Sequence, residues 1–484
     1  MRLSKSQFIR GLQCQKSLWL YRNRPELRIK PDEAQQAIFD VGTNVGILAQ
    51  QLFPGGTEIV FDLKKITENV QRTRNLISAG VGTIYEASFI FDDVLVMVDI
   101  LHKEVNDWEM YEVKGSTSLK EVHENDVAIQ YYVLTGCGLD LGKACLVHIN
   151  NQYERNFELD IQQLFTIEDV TDSAISRQSF VIDQLACLKD MLNSPEPKID
   201  IGVQCSDPYP CDFIAHCWQN IPDYSVFDLT RLSLSKKFEL YYKGILKLDE
   251  ISLDYPLSHA QQLQVDAELH GAEHINRENI RDFLATISEP IGFLDFETFM
   301  EAVPSFDGQR PYQQIPFQYS LHIQTNCELN HYEFLAEPST DPRHGFAARL
   351  IEDLAGCETI LVYNQAFEKR ILDELAIFLP GMATELKTIT HRIVDLMVPF
   401  QAKDYYVKEM QGSYSIKKVL PALVPELSYD GLEIADGGMA MLAYAKLKEI
   451  TDQAVVSKIK NDLLKYCELD TLAMVNIFEK LRRL

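Results

Sequence analysis

Residues 291–298, IGFLDFET, indicate the fold of the second half of the chain more directly than any other stretch. Their apolar composition is typical of a β-strand, and the two-residue period of a strand places Asp295 and Glu297 on the same face. Two unpaired carboxylates in a buried strand are costly, because burial disfavours charge. A bound metal ion would offset that cost, so we interpret Asp295 and Glu297 as metal ligands.

A second unusual charge lies near the C-terminus. From Leu463 to Ile477, apolar side chains recur at steps of three and four residues, which predicts a helix with a core-facing stripe. Asp470 is the charged member of that stripe, and Tyr466 precedes it by one turn. The alternative for Asp470 is a position at the helix edge, facing solvent.

Strands and helices alternate between these two segments, which predicts an α/β domain over residues 289–484. The apolar run at residues 359–363 predicts one of these strands. Asn364 is expected to cap the helix that follows, which carries Phe367 and Glu368.

Together these residues resemble the DEDD exonuclease superfamily of the DnaQ type, which has a ribonuclease H-like fold. Asp295 and Glu297 match its D-x-E motif, Tyr466 and Asp470 match the Y-x3-D motif of its tyrosine subtype, and Glu368 stands where the family supplies aspartate. The resemblance implies a 3′–5′ exonuclease using two Mg²⁺ or Mn²⁺ ions. The four acids would bind the metal, Tyr466 would orient the attacking water, and Asp395 would support the site.

The first half of the chain carries a separate set of candidates. Two predicted strands hold Asp99, which follows an apolar run, and the pair Glu112 and Lys114, which share a face. Two carboxylates can hold a divalent ion, and a lysine can orient water or stabilise developing charge. Glu86, on an earlier predicted strand, is a further candidate ligand.

Four cysteines form a possible metal site. Cys205, Cys211 and Cys217 follow the pattern C-x5-C-x5-C, and Cys14 lies near the N-terminus. A chain without an export signal is not expected to form disulfides. Four thiolates suit a [4Fe–4S] cluster or, as the alternative, a structural Zn²⁺, although zinc hooks usually have shorter spacing. Four unrelated cysteines are the other alternative, and the remaining six are interpreted as small buried apolar residues.

This first half resembles the PD-(D/E)xK nucleases of the RecB type over about residues 1–220. The resemblance rests on Asp99, Glu112 and Lys114, followed by Gln130 on a predicted helix. One early cysteine and three late ones resemble the iron–sulfur subset of that family. It implies that Asp99 and Glu112 bind Mg²⁺ or Mn²⁺, that Lys114 is catalytic, that Gln130 positions the site, and that the four cysteines hold a [4Fe–4S] cluster.

Three further stretches resemble bacterial proteins grouped as domain of unknown function 2779. They are residues 3–8 (LSKSQF), 310–320 (RPYQQIPFQYS) and 415–421 (SIKKVLP). This resemblance implies a shared architecture and carries no substrate with it.

We therefore predict an α/β protein of two domains, which its 484 residues can accommodate. Residues 1–222 form a restriction-endonuclease-like PD-(D/E)xK core closed by the four-cysteine cluster. Residues 223–288 form a helical connector, and residues 289–484 form the ribonuclease H-like exonuclease domain.

Charge and hydropathy limit the possible partners. The formal net charge of −25 argues against a protein that coats nucleic acid through basic side chains, but metal ions can offset a nuclease's carboxylates. Basic residues are concentrated in the first thirty positions. They form either a solvated face or an edge that contacts phosphate. No apolar run approaches the roughly 18 residues of a membrane span, and no signal peptide is evident, so we expect a cytoplasmic location.

The predicted function is hydrolysis of phosphodiester bonds in nucleic acid, with DNA favoured over RNA. A protein partner or a homo-oligomer is compatible with the sequence. The alternative is a non-catalytic or weakly active nucleic-acid-binding or regulatory protein with degenerate nuclease folds. The acidic charge, the glutamate at position 368 and the absence of a histidine in residues 42–46 favour that alternative.

Overall fold

The computed structural model describes residues 2–60, 62–252, 254–271, 273–326, 328–429 and 431–484. Within them the chain forms two compact units, the first from Met1–Asn220 with Glu301–Tyr312 and the second from Ile221–Met300 with Gln313–Leu484. One of the six scattered cysteines, Cys327, lies outside the described residues. The predicted α/β class is confirmed.

The first unit combines one mixed sheet with helices on both faces. Its elements in chain order are β1 (Leu3–Ser4), α1 (Lys5–Gln13), α2 (Gln15–Asn23), α3 (Glu33–Ala49), β2 (Thr57–Glu58), α4 (Ile66–Ser78), β3 (Thr83–Phe91), β4 (Val94–Lys103), β5 (Trp108–Lys114), α5 (Glu121–Gly136), β6 (Leu141–Ile149), α6 (Ile161–Leu164), β7 (Phe165–Asp169), α7 (Thr171–Ser176), α8 (Gln178–Leu192) and α9 (Ile214–Cys217).

The sheet of the first unit has the order β2-β3-β4-β5-β6-β7, with β1 pairing to β4. β3, β4 and β5 are antiparallel, and β5 and β6 are parallel. On one face α5 buries Val127, Val133 and Leu134 together with side chains of α8. On the other face, α3 buries Val45 and Ala49 against the strands. The strands and the helix predicted in this region are confirmed.

The second unit also has a sheet between two helical layers. Its elements in chain order are α10 (Leu234–Tyr242), α11 (His259–His270), β8 (His274–Ile275), α12 (Arg277–Leu284), β9 (Ile291–Phe299), β10 (Ile315–Thr325), β11 (Glu328–Leu335), α13 (Arg343–Asp353), β12 (Thr359–Val362), α14 (Gln365–Phe378), α15 (Ala383–Arg392), β13 (Ile393–Asp395), α16 (Val398–Gln401), β14 (Tyr405–Tyr406), α17 (Ile416–Leu423), α18 (Gly437–Lys446) and α19 (Gln453–Arg482).

The main sheet of the second unit places β9 at its centre, in the order β11-β10-β9-β12-β13. β9, β10 and β11 are antiparallel, whereas β12 and β13 run parallel to β9. Because side chains alternate along β9, Phe293 packs on the α19 side with Met474 and Ile477, and Leu294 packs on the opposite side with Phe346. The acids at 295 and 297 share the face of Phe293 and therefore face α19.

Two segments near the predicted domain boundaries belong to other units than the sequence predicted. Residues predicted as a connector belong to the second unit, because Val226, Leu240 and Val265 form a small core and β8 pairs with β14. The segment Glu301–Tyr312 belongs to the first unit. Its Ala302 packs into the first unit's core, and Arg155 donates to its Pro304 carbonyl (2.7 Å). Local hydrophobic contacts therefore set boundaries that composition does not mark.

Among the described helices, none combines the length and the apolar composition that crossing a membrane requires.

Candidate functional site

Three carboxylates of the second unit converge on one point. β9 carries Asp295 and Glu297, and α19 carries Asp470 in its buried stripe. One ligand oxygen from each of the three residues lies within 4.8 Å of the other two. The structure therefore brings together the strand acids and the helix acid that the sequence indicated separately, and Asp470 is buried rather than at a solvent-facing helix edge.

Burial and mutual repulsion make this cluster resist ionisation. Burial, followed by the charges of Asp470 and Glu297, raises the pKa of Asp295 well above its ordinary value. Burial and the charge of Asp470 raise the pKa of Glu297 to about 8. Burial also raises the pKa of Asp470, to about 6. A divalent cation would relieve this repulsion, because it supplies the largest local positive charge.

Two tyrosines and a lysine line the same cluster. The Tyr429 hydroxyl donates to Asp470 Oδ1 (2.5 Å), and Tyr466 lies one helical turn before Asp470 on α19. Burial and the charge of Asp470 raise the pKa of both phenols, so both remain protonated donors at neutral pH. Lys417 Nζ lies 5.9 Å from the centre of each ring, and its positive charge opposes the rise in the pKa of Glu297 and Asp470.

The roles of Tyr429 and Lys417 were not predicted. Lys417 lies in the stretch 415–421, which the family resemblance already marked, so that resemblance was the available signal. Tyr429 lies in an irregular segment before α18, where no periodicity indicates which way a side chain points.

Glu368 approaches the cluster from the first turn of α14. Its side chain is buried, and among the described residues its Oε2 has no hydrogen-bond partner. Burial raises the pKa of Glu368 to about 8, and its charge adds to the repulsion on Asp295. Glu368 is not among the residues whose ligand atoms lie within 4.8 Å of one another, but a buried carboxylate oxygen without a partner is a feature that a metal ion would satisfy.

Asp395 holds the start of α14 in place. Its carboxylate accepts from the backbone N–H groups of Asn364 (3.0 Å), Gln365 (3.0 Å) and Met397 (2.9 Å). Asn364 occupies the N-cap position with φ of +90°, but its side chain makes no capping bond. The prediction that Asn364 caps this helix is therefore wrong for the side chain, because Asp395 on the neighbouring strand takes that role.

Removing the Asp395 carboxylate should destabilise the second unit. We expect Asp395→Ala to lower the free energy of unfolding by about 1–3 kcal/mol, since three backbone N–H groups lose their acceptor. Urea unfolding followed by circular dichroism measures this change. All three tryptophans lie in the first unit, so tryptophan fluorescence should shift little. The exposed Asp373→Ala on the same helix is the control, and equal midpoints for the two variants would contradict the capping role.

The first unit also gathers its predicted residues into one cluster. Lys114 Nζ donates to Glu112 Oε1 (2.7 Å), and Gln130 Nε2 on α5 donates to Glu112 Oε2 (2.7 Å). Asp99 Oδ2 accepts from the backbone N–H of Val113 (2.6 Å). Two adjacent strands and one helix thus surround Glu112.

Lysine side chains neutralise Glu112. Lys5, at the start of α1, donates from Nζ to Glu112 Oε1 (2.6 Å), and Lys114 also pairs with Asp126. Burial by itself would raise the pKa of Glu112, but Lys114 and Lys5 hold that pKa well below its ordinary value. Both oxygens of Glu112 are therefore engaged by donors, and two of these donors are lysine ammonium groups in direct contact with the carboxylate.

Asp99 and Glu86 face each other across β3 and β4. Glu86 lies between the paired positions Tyr85↔Ile100 and Ala87↔Val98, opposite Asp99, and has φ of +56°. This left-handed conformation is uncommon for a residue other than glycine. Burial, followed by the charge of Glu112, raises the pKa of Asp99 to about 8, and burial raises the pKa of Glu86 to about 7.

The four predicted cluster ligands line one cavity of the first unit. Cys14 lies between α1 and α2, and Cys205, Cys211 and Cys217 lie on the segment around α9. The cavity is partly open to solvent. Burial raises the pKa of Cys217 to about 11, with the other three thiols adding to the rise. The structure therefore brings together residues separated by most of the first unit's sequence.

Several basic residues near the N-terminus have structural partners. Arg10 donates twice to Asp212 (2.6 and 2.9 Å), and Arg28 donates to the same carboxylate (2.5 Å). Because Asp212 adjoins Cys211, these pairs connect the N-terminal helices to the cysteine segment. The structure therefore favours a structural role for Arg10 and Arg28 over a role in contacting phosphate.

The scattered cysteines divide into two groups. The interpretation as buried residues is confirmed for Cys145, Cys357 and Cys467, and it is wrong for Cys137 and Cys187, which are exposed.

Part of the chain is similar to a known protein family. Residues 292–415 match the family described as "Domain of unknown function (DUF2779)", which confirms that resemblance for this stretch. The match includes β9 with its two acids, Glu368 and Asp395, and it ends before α19.

Two uncharacterized proteins are among the relatives of this chain. One, from Mycoplasma pneumoniae, is 28% identical over 205 residues, which cover 38% of this chain and 31% of the relative. The other, from Ureaplasma parvum, is 26% identical over 286 residues, which cover 54% of this chain and 41% of the relative. The chain thus matches about a third to two fifths of the length of these relatives.

Proposed function

We propose that this protein is a metal-dependent nuclease that hydrolyses phosphodiester bonds of nucleic acid, with the acid cluster of the second unit as its main site. The observation that carries the proposal is the convergence of Asp295, Glu297 and Asp470, with ligand oxygens within 4.8 Å of one another. Glu368, buried with an unpartnered oxygen, completes a set of four acids. Oxygen ligands of this kind suit Mg²⁺ or Mn²⁺.

The topology of the second unit supports a ribonuclease H-like domain of the 3′–5′ exonuclease type. Its central strand carries the two motif acids, three strands are antiparallel, and two further strands are parallel to the centre. The helix with Tyr466 and Asp470 packs on the face that carries those acids. This arrangement agrees with the resemblance drawn from the D-x-E and Y-x3-D motifs.

Each residue around the cluster has a separate role in the proposed reaction. Asp295, Glu297, Asp470 and Glu368 would hold a divalent ion, which would polarise the phosphate and lower the pKa of the attacking water. Tyr466 orients the attacking water as a hydrogen-bond donor, since its raised pKa excludes action as a base. Lys417 supplies a positive charge at the cluster, where negative charge develops on the phosphate. Asp395 positions Glu368 by capping α14.

We propose that the first unit is a RecB-like PD-(D/E)xK domain with a second, weaker site. The antiparallel β3, β4 and β5 and the parallel β6 support this proposal, because β3, β4 and β5 carry Glu86, Asp99, Glu112 and Lys114. Glu112 is already bound by Lys5, Lys114 and Gln130, so a metal ion has to compete with these donors for the carboxylate. For this reason we assign the main activity to the second unit.

The cysteine cavity fits an iron–sulfur cluster better than a single zinc ion. Around one Zn²⁺, sulfurs at about 2.3 Å from the metal lie roughly 3.8 Å apart. Among the described residues, the ligand groups with three atoms inside 4.8 Å do not include Cys14, Cys205, Cys211 or Cys217. The wider separation around one cavity favours the larger [4Fe–4S] group, which would cross-link Cys14 to the segment around α9.

A cleavage assay tests the nuclease proposal. Purified protein is incubated with labelled single-stranded DNA, duplex DNA and RNA, with Mn²⁺ or with EDTA. We expect Mn²⁺-dependent cleavage, with DNA preferred to RNA, and mononucleotides released from the 3′ end. Retention of nucleic acid without cleavage in any condition would instead support a binding protein with degenerate nuclease folds.

The acid cluster should also make stability depend on pH and metal. The pKa values of Glu297 and Glu368 are about 8 and that of Asp470 is about 6 in the folded protein. These raised values stabilise the fold while the acids are protonated, and the contribution is lost as pH rises through about 6 to 8. In EDTA, the second unit should therefore melt several degrees lower at pH 8.5 than at pH 6.

Mn²⁺ should restore the melting temperature, and more at pH 8.5 than at pH 6. Circular dichroism follows both units and tryptophan fluorescence reports the first unit, so a transition seen by circular dichroism alone belongs to the second unit. Glu297→Gln should reduce the pH effect, and the exposed Glu333→Gln should not. If the parent protein, Glu297→Gln and Glu333→Gln all show the same pH dependence of the melting temperature, the acid cluster is not the source of the effect.

A further inference from the structure

A second group of possible metal ligands lies beside α19. His322 on β10, His331 on β11 and Glu468 on α19 each place one ligand atom within 4.8 Å of the others. The two imidazole rings stack with centres 4.5 Å apart, and His331 Nδ1 lies 3.9 Å from Glu468 Oε1. The proposed nuclease reaction gives none of these three residues a role.

A chain of hydroxyl groups sets the tautomers of both imidazoles. Thr471 Oγ1 lies 3.0 Å from the backbone carbonyl of Glu468, which only accepts, so Thr471 is the donor there. Ser320 Oγ (2.7 Å) and His322 Nδ1 (2.8 Å) must then both donate to Thr471 Oγ1. Because the Ser320 proton is used, His331 Nε2 donates to Ser320 Oγ (2.9 Å).

This hydrogen-bond chain leaves one free lone pair on each imidazole, at His322 Nε2 and His331 Nδ1. A neutral imidazole whose other nitrogen donates a hydrogen bond is the form that binds metals. His331 Nδ1 lies 3.9 Å from Glu468 Oε1, so its lone pair is close to a carboxylate, and a cation bound by both groups would relieve their repulsion.

We propose that His322, His331 and Glu468 form a binding site for a transition-metal ion of the Zn²⁺ class, separate from the acid cluster. Two imidazoles and one carboxylate suit Zn²⁺ and disfavour Mg²⁺, which prefers oxygen ligands. The His331 and Glu468 side chains are 25% and 46% exposed, so an ion can enter from solvent.

The position of the site indicates what a bound ion does. It joins β10 and β11 to α19, and Glu468 lies two residues before Asp470 on that helix. On β10, Ser320 lies opposite Asp295 in the sheet register. A metal ion here therefore holds the helix that supplies Asp470 against the strand next to the central acids.

Histidine modification measures binding at this site directly. The full-length protein is stripped with chelator and treated with diethyl pyrocarbonate near pH 6.5, with Zn²⁺, with Mg²⁺ or without metal. Mass spectrometry then quantifies the adduct on each histidine. We expect Zn²⁺ to reduce the modification of His331 at least tenfold and Mg²⁺ to leave it unchanged. The exposed His344 is the internal control.

Variants link the protection to the proposed ligands. Glu468→Gln should raise the Zn²⁺ concentration needed to protect His331 at least tenfold, whereas Glu479→Gln, about three turns along the same helix, should not. Equal modification of His331 with and without Zn²⁺ would overturn the proposal and leave a His331–Glu468 ion pair. Because the readout is the His331 adduct, its result is independent of nuclease activity and of zinc bound to cysteines.

Discussion

Asp295→Asn is expected to lower Mn²⁺-dependent cleavage by roughly three orders of magnitude. Asparagine preserves the volume of the side chain but removes one charged metal ligand from the centre of the cluster. The remaining acids then bind the ion poorly, and the phosphate loses most of its charge stabilisation. Initial cleavage rates on a 3′-labelled strand, measured at saturating Mn²⁺, give the size of the effect.

The same substitution should leave the fold intact. In EDTA at pH 8, Asp295→Asn relieves the repulsion on Glu297 and Asp470, so the second unit should melt at the same temperature as the parent or higher. Low activity combined with unchanged or raised stability separates loss of a ligand from misfolding. A melting temperature several degrees below that of the parent in EDTA would contradict the like-charge explanation.

Asp99→Asn is the matched control in the first unit. Asparagine can still accept from the Val113 N–H, and Glu112 keeps its three donors. We expect this variant to lose only a minor part of the cleavage activity. If Asp99→Asn abolishes cleavage while Asp295→Asn cleaves like the parent, the ranking is reversed and the first unit carries the main site.

Cys14→Ser is expected to remove the cluster and destabilise the first unit as a whole. The proposed cross-link joins Cys14 to Cys205 across nearly the entire unit. Opening a covalent loop of that length costs up to roughly 5 kcal/mol by the chain-entropy argument. The polar contacts of Arg10 and Gln13 with the cysteine segment remain, so partial folding should persist.

Metal content and fluorescence test this prediction together. Protein purified without oxygen should be brown and contain iron and acid-labile sulfide, which Cys14→Ser should lose. Urea unfolding followed by tryptophan fluorescence reports the first unit, and the exposed Cys137→Ser is the control. Stoichiometric zinc without iron or sulfide would reject the iron–sulfur assignment. Full cluster content in Cys14→Ser would reject Cys14 as a ligand.

Much of the fold could be predicted from periodicity. The alternation in residues 291–298 predicts both the strand and the common face of Asp295 and Glu297. The steps of three and four around Asp470 predict its burial on α19. In both segments the charged residues occupy positions that the pattern reserves for apolar side chains, so the candidate acids could be found without coordinates.

Local patterns were a poorer guide to capping and to domain boundaries. Asn364 has the residue type of a helix cap, but a neighbouring strand provides Asp395, whose carboxylate accepts three N–H groups at once. The segment Glu301–Tyr312 has the proline and glycine content of a loop, but nothing in that composition indicates that it packs with the first unit. Helix capping and domain boundaries depend on which residues from distant parts of the chain come into contact. A local sequence pattern does not contain that information.

The sequence by itself indicated the strands and the helix that carry the candidate acids, the common face of Asp295 and Glu297, and the position of Asp470 in a core-facing stripe. Only the tertiary structure decided which of those faces meet. It placed Lys5 against Glu112, leaving the first site neutralised, and it placed Asp470 against Asp295 and Glu297 without such neutralisation. The physical reason is that periodicity follows from local backbone geometry, whereas electrostatic balance depends on contacts between residues far apart in the chain.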